Sequence, residues 1–462
     1  MDNTKSTNTS NADAQFNKMV NTPVWKLVTT LAIPTVISML VTAIYNMADT
    51  FFVSQISTQA SAAVGIVFPI MSIIQACGFT LGMGSGSLVS IRLGQKRNEE
   101  ASEISSTAFF TALGIGLLIT IFGNVFSSKF MQLVGASEAV LPYANDYARY
   151  IFFGAPFMCA SFVLNNVLRS EGKSFFSMIA LTSGGILNII LDPIFIFVLK
   201  MGISGAAIAT LISQFVSFCI LLSFYLRRKS ICRINIKLYA KKISVLGKIV
   251  STGIPSLARQ GLASVATILL NTAAGTYGGD AGIAAMSIVT KIVMFIASIM
   301  IGIGQGFSPV SGYNYGAKRF DRVKKAYFFM ITSGFCIMAI FSILCCIFAP
   351  QILRAFRDDD LVVQIGSAAL RWQAAFIPLH PLIVGTNMLM QSTRNIKSAT
   401  FLSMNRQGVF FIPTILIMPR LFGLTGVETS QFIADVLSAF AAIPFLLWFF
   451  KNKLKAEESQ KS

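Results

Sequence analysis

The sequence predicts an all-α polytopic membrane protein with twelve transmembrane helices in two six-helix lobes, related by a pseudo-two-fold axis along the membrane normal. Three observations predict it. Of 462 residues, 54% are hydrophobic and only 12% charged, and the mean hydropathy is +0.69; a soluble protein of this size has no interior large enough for so much apolar surface. Twelve mostly apolar stretches of about 20 residues can be counted, the length a helix rising ~1.5 Å per residue needs to cross a hydrocarbon layer ~30 Å thick. The second half of the chain also repeats the first.

The elements follow in order. Residues 1–22 are polar and read as a cytoplasmic N-terminal tail; the apolar stretch after them is too long for a signal-peptide core, so no segment reads as cleavable. The N-lobe, 23–228, holds spans at 27–53, 62–81, 104–126, 147–168, 175–199 and 206–226. A basic cytoplasmic linker covers 229–246. The C-lobe, 247–450, holds spans at 249–274, 283–307, 326–348, 370–390, 399–418 and 432–450, and 451–462 form a C-terminal tail. Of the 37 Lys and Arg, 27 fall on the side of the N-terminus, five on the other (Lys129, Lys200, Arg354, Arg357, Arg420) and five within spans. Positive residues in short loops stay on the cytoplasmic side during insertion, so both termini are expected inside the cell and the protein in the plasma membrane.

The repeat appears at a shift of about 221 residues. Ile33-Pro34 falls on Ile254-Pro255, the Gly82, Gly84, Gly86 series on Gly302, Gly304, Gly306, and Gly202 with Gly205 on Gly423 with Gly426. Arg149, Pro156 and Asn165 fall on Arg371, Pro378 and Asn387. Because six is even, both halves begin on the same side, as in one class of transporters whose lobes rock about a shared cavity. Two lobes in one chain already make that cavity, so a monomer is expected.

Charge inside a bilayer costs several kcal/mol, so each charged residue in a span is a candidate functional site. Asp49 lies about five residues from the outer end of span one and Asp192 about eight from that of span five. Asn188, four residues before Asp192, shares its helical face, and Thr210 enters span six from the same side at matching depth. Such an oxygen set suits Na⁺. Two close carboxylates in low dielectric also suit H⁺, since both resist ionising together. The plainer alternative is a satisfied polar network. The repeat is an internal control: Leu270 stands at the position of Asp49 and Ile412 at that of Asp192. Carboxylates needed only for packing would be expected in both lobes.

These residues resemble the multidrug and toxic compound extrusion transporters, particularly their staphylococcal-type multidrug-efflux branch. The resemblance covers about residues 20 to 450. It rests on Pro34 with Asp49 fifteen later, the run Leu187-Asn188-Ile189-Ile190-Leu191-Asp192-Pro193, Thr210 eighteen after Asp192, and Gly-x-x-Gly-Ala-Ala at 202–207. It implies a secondary exporter rather than an enzyme, with lipid around it and no cofactor beyond a coupling ion. H⁺ or Na⁺ would bind at Asp49, Asn188, Asp192 and Thr210 while a small, amphipathic, mostly cationic compound leaves. A bend of span one at Pro34 would be the moving part. Flippases of lipid-linked oligosaccharides resemble this fold as well, and Arg259, Lys291 and Arg406 keep that reading open.

The C-lobe departs from part of the family. Some branches carry functional acids in span seven, where this chain has Arg259 and Gln260. Asp435 and Lys291 fall near mid-membrane by residue count and are expected to form a buried ion pair, a structural role weighed above a part in substrate binding. His380, the single histidine, sits between Pro378 and Pro381 and is expected to mark a helix distortion rather than a proton relay. The Gly-x-Gly-x-Gly series lies where close helix packing, not a phosphate cradle, explains it. The seven cysteines have no metal-ligand spacing, and most of the 40 Phe and 19 Met residues are expected at lipid-facing and core positions. The acidic run 358–360 reads as a solvated loop. A net charge of +18 raises nucleic-acid binding, but the positive residues sit in short loops without interleaved aromatics, so no nucleic-acid partner is expected. Walker, HExxH and Ser-His-Asp patterns are missing, which removes ATPase and protease chemistry.

Overall fold

A computed structural model describes residues 2–454, and among these there are helices and turns but no strand. Helix α1 (Asp2–Asn21) precedes the first crossing, so the polar N-terminal segment is helical, and it tucks Ala12, Met19 and Val20 against the protein. The N-lobe crossings are α2 (Val24–Ser54), α3 (Thr58–Gly94), α4 (Asn98–Val125), then, after the short α5 (Ser127–Leu133), α6 (Leu141–Ser170), α7 (Ser174–Pro193) and α8 (Gly202–Leu226). Pro193 withholds one backbone donor, and α7 continues as a π-helical turn, Ile194–Val198.

Helix α9 (Ile243–Gly316) has 74 residues, about 110 Å of helix at 1.5 Å per residue, too long for one crossing. Gly279 breaks it with φ 58° and ψ −155°, a conformation open to glycine and closed to residues with a side chain, so it supplies spans seven and eight. Helix α10 (Phe320–Phe356) is span nine. Span ten is interrupted: α11 (Asp360–Phe376) passes through a 3₁₀ turn at Ile377–Leu379 into α12 (His380–Ser392), as expected where Pro378 and Pro381 bracket His380. Span eleven joins α13 (Ile396–Met404) to α14 (Ile412–Phe422) through a π-helical stretch, Asn405–Phe411, and α15 (Leu424–Trp448) is span twelve. Ten helical stretches among the described residues are long and apolar enough to cross a membrane. With α9 counted twice and α11–α12 added, the twelve predicted crossings are accounted for. Residues 455–462 of the predicted C-terminal tail lie outside the described residues.

The lobes meet backbone to backbone near the face that carries α1, through the glycines of the repeat. A Cβ on Gly84 would lie 2.1 Å from the Ile249 carbonyl oxygen, one on Gly253 1.9 Å from that of Thr80, and one on Gly316 2.2 Å from that of Ile91. Gly302 and Gly306 similarly receive the backbone of Val36 and Ala32 from α2. Thr35 Oγ1 donates across the seam to the Gly302 carbonyl at 2.8 Å, and Arg169 of α6 donates to Gln305 of α9. The glycine series thus serves helix packing: Gly84, Gly302 and Gly306 between the lobes, Gly82 and Gly86 against α6 and Gly304 against α12 within them. Gly253→Ala is expected to push α9 off α3 at a cost of ~1–3 kcal/mol, typical of overpacking. The check is a lowered melting temperature together with thiol-reagent access to a cysteine placed at Ser85, which is fully buried in the native seam.

The basic linker is docked on the N-lobe rather than spanning freely. Glu171, fully buried, accepts from Ser230 Oγ at 2.5 Å and from the backbone N–H groups of Ile231 and Cys232 at 2.9 Å each. Ser102 and Ser106 of α4 accept from the N–H groups of Arg233 and Asn235.

Candidate functional site

In the N-lobe, a glycine pair sets up the site. A Cβ on Gly185 would lie 2.8 Å from Val41 of α2, and one on Gly184 2.9 Å from Ser217 of α8, so α7 is drawn in against both neighbours. Asn188 and Asp192 follow on the same face, one and two turns on, and both are buried. Asn188 Nδ2 donates to Asp192 Oδ1 at 3.2 Å and points to Thr210 Oγ1 at 3.4 Å. Asp49 of α2 is half-buried, one turn beyond Tyr45, whose ring lies against Gly185 of α7. Asn188, Asp192 and Thr210 are thus brought together by hydrogen bonds, and Asp49 lies on the helix packed against theirs.

Most of the oxygens there have lone pairs to spare. Asp49 Oδ1, Asp192 Oδ2 and Asn188 Oδ1 are buried and have no hydrogen-bond partner among the described residues, and the same holds for Tyr147 Oη. A buried carboxylate without a donor is costly unless a proton or a cation completes it. The donor set of carboxylate, amide and hydroxyl oxygens is hard and suits H⁺ or Na⁺. Beside it opens a cavity of about 140 Å³. Asn188 and Thr210 line this cavity together with Tyr45, Asn46, Gln75 and Gln214.

The C-lobe differs from the expectation. Asp435 does not pair with Lys291, which is exposed and forms no ion pair among the described residues. Its partner is Arg406, the basic residue one helix away on span eleven: Nε lies 2.7 Å from Oδ1 and Nη2 3.2 Å from Oδ2. His380 Nε2 lies 3.1 Å from Oδ2, and Gln431 donates to Oδ1 at 2.8 Å. Residue count gives depth but not azimuth around a helix, and it was azimuth that chose Arg406 over Lys291. Arg259 is half-buried, with no ion-pair partner among the described residues. At the 221-residue shift Leu270 replaces Asp49, Gln431 replaces Thr210 and Arg406 replaces Gly185. All three line a second, smaller cavity. The lobes share a scaffold, but Asp49 of the first has no acidic counterpart at this position in the second.

The family model described as MatE matches twice, over residues 34–194 and 255–417, once in each lobe. The chain belongs to the MatE family. The chain is 28% identical to the multidrug export protein MepA of Staphylococcus aureus strain N315 over 453 residues, 97% of this chain and 99% of the relative. Its identity to MepA of Staphylococcus haemolyticus is also 28%, over 448 residues. Among solved structures, an outward-facing multidrug resistance MATE transporter aligns with a TM-score of 0.90 at 28% identity, covering 96% of this chain and 98% of that one. A transporter of the same superfamily from Pyrococcus furiosus, described as having a binding pocket of reversed polarity that suggests a different function, aligns at 0.89 with the same identity and coverage. The protein is thus a multi-pass membrane transporter of the MATE multidrug-efflux family and not an enzyme.

The two matched MatE segments begin at Pro34 and Pro255, one repeat length apart. Pro34 lies within α2, which stays helical through it, and it is buried close to the interlobe contacts of Ala32, Thr35 and Val36. Spacing did not single out Tyr147. A signal existed: Tyr147 opens span four from the same side on which Thr210 opens span six, so its hydroxyl had to arrive at the depth of Asp49. Among the described residues no group of three or more His, Cys, Asp or Glu is placed to hold a metal ion.

Proposed function

We propose that this MATE transporter is a secondary active multidrug exporter of the plasma membrane that exchanges H⁺ or Na⁺ for small, amphipathic, mostly cationic compounds. The reading is supported by the hydrogen-bonded set of Asn188, Asp192 and Thr210, by the unpartnered buried oxygens of Asp49, Asn188 and Asp192, and by the cavity that Asn188 and Thr210 line. The coupling ion is cargo here, held by the two carboxylates and completed by the amide and hydroxyl oxygens. An organic cation in the adjoining cavity would be attracted by the same negative charge, so loading the ion weakens the hold on the drug. The bias of Lys and Arg supports both termini, and the face bearing α1, as cytoplasmic. With the lobes closed at that face, the conformation corresponds to the outward-facing state.

Pro34 supplies the moving part in this reading. Its missing N–H leaves the Thr30 carbonyl without its helical partner, which lowers the resistance of α2 to bending. Bending there would also break the Thr35 bond to Gly302 and loosen the cytoplasmic seam. Filling the ion site therefore biases an element that reaches from the site to the seam. The test is efflux of ethidium from proteoliposomes with Na⁺ and H⁺ gradients imposed one at a time: one gradient should drive it and the other not. Indifference to both would remove ion coupling. A second reading, flipping of lipid-linked oligosaccharide, is favoured by Arg406 at the rim of the C-lobe cavity, which could meet a phosphate. It predicts no ethidium efflux under either gradient and movement of a labelled lipid-linked sugar instead.

A further inference from the structure

The cytoplasmic end of the protein carries a basic hollow that the transport cycle described above does not use. It lies where the α1–α2 turn meets α10 and has a volume of about 470 Å³. Arg319, Arg322 and Lys325 line it, against one carboxylate, Asp321, and its apolar part is made by Trp25 and Phe329. Arg322 is committed: its Nε donates to Asn314 Oδ1 at 2.9 Å and its Nη2 to the Thr22 carbonyl at 2.5 Å. Arg319 and Lys325 are exposed and have no ion-pair partner among the described residues. Two cations without an ion-pair partner among the described residues thus flank a fixed third, with Asp321 the one carboxylate among them, at the level where the first turn of span one leaves the membrane.

We propose that this hollow binds the phosphodiester headgroup of an anionic phospholipid. The charges ask for an anion. Trp25 decides which one: it is exposed on the first turn of α2, in the interfacial layer where tryptophan rings settle with one side against acyl chains. A free phosphate would use the cations and leave Trp25 and Phe329 without a role, whereas a lipid uses both halves of the hollow. The walls come from different lobes, since α2 belongs to the first and α10 to the second. Met19 and Thr22 on one side are already tied to Asn314 and Arg322 on the other. A headgroup seated here extends that tie and favours the state closed at the cytoplasmic face.

The chain has three tryptophans, so replacing Trp372 and Trp448 by Phe leaves Trp25 as the single reporter. Its fluorescence is measured in full-length protein reconstituted with brominated phosphatidylglycerol or brominated phosphatidylcholine. Phosphatidylglycerol is expected to quench at roughly tenfold lower mole fraction, the advantage falling with added salt. R319Q/K325Q should bring phosphatidylglycerol down to the phosphatidylcholine level, and R319K/K325R should keep the preference, which separates loss of charge from misfolding. Inorganic phosphate at millimolar concentration should not displace the brominated lipid. Equal quenching by both lipids, an unchanged preference in R319Q/K325Q, or displacement by phosphate would each overturn the assignment.

Discussion

Asp192→Asn is expected to reduce drug efflux to the level of cells without the transporter, a fall of at least about tenfold, while the protein stays in the membrane in normal amount. Asn has the shape of Asp and can still meet Asn188, whose Nδ2 approaches Oδ1 at 3.2 Å, so packing is preserved. The charge is lost. A ligand shifts a two-state equilibrium only by the difference in its affinity for the two states, and one that binds neither shifts nothing. Without the Asp192 carboxylate the coupling ion has no such difference to supply, and the lobes are no longer driven past one another. Thr210→Ala, which removes a single neutral oxygen, should be milder, a few-fold by the ~1 kcal/mol of a typical hydrogen-bonding group. The measurement is ethidium efflux from intact cells, with membrane abundance by immunoblot. Undiminished efflux by the Asn variant would take Asp192 out of the mechanism.

How much of this could be read from the sequence depends on which physical quantity a residue's role requires. Span number and the repeat follow from hydropathy and self-similarity, which are local sums. Asp49, Asn188, Asp192 and Thr210 could be placed because the ends of their spans fix depth, and the four-residue spacing fixes the shared face of Asn188 and Asp192. The seam glycines signalled close packing, but not which helix they would meet, since that depends on how the lobes dock. Lys291 and Arg406 are both mid-span by count, and the choice between them rests on rotation about the helix axis. The π-helical turns after Pro193 and around Asn405–Phe411 shift that rotation locally, and neither can be read from hydropathy.

The buried acid of the other lobe is expected to behave in the opposite way. Asp435 has its lone pairs filled: two from Arg406, one from Gln431 and one shared with His380. The Arg406 contacts have the fork geometry of a strong bidentate pair. Asp435→Ala strands the guanidinium in a span with no second carboxylate against it. Removing one partner of a buried pair costs ~3–5 kcal/mol, here toward the lower figure because the Arg406 side chain keeps 24% exposure. Against a total stability of ~5–15 kcal/mol, that should appear as a much lower melting temperature in detergent and reduced membrane abundance. Asp435→Leu combined with Arg406→Met should recover most of the loss, because replacing both charges leaves neither uncompensated. Efflux by the recovered double variant then tells whether the pair does more than hold spans eleven and twelve together. An acid whose oxygens are all partnered stabilises the fold, and one whose oxygens are left open is available to a moving ion; the two variants should therefore separate, Asp192→Asn abundant and inactive, Asp435→Ala scarce.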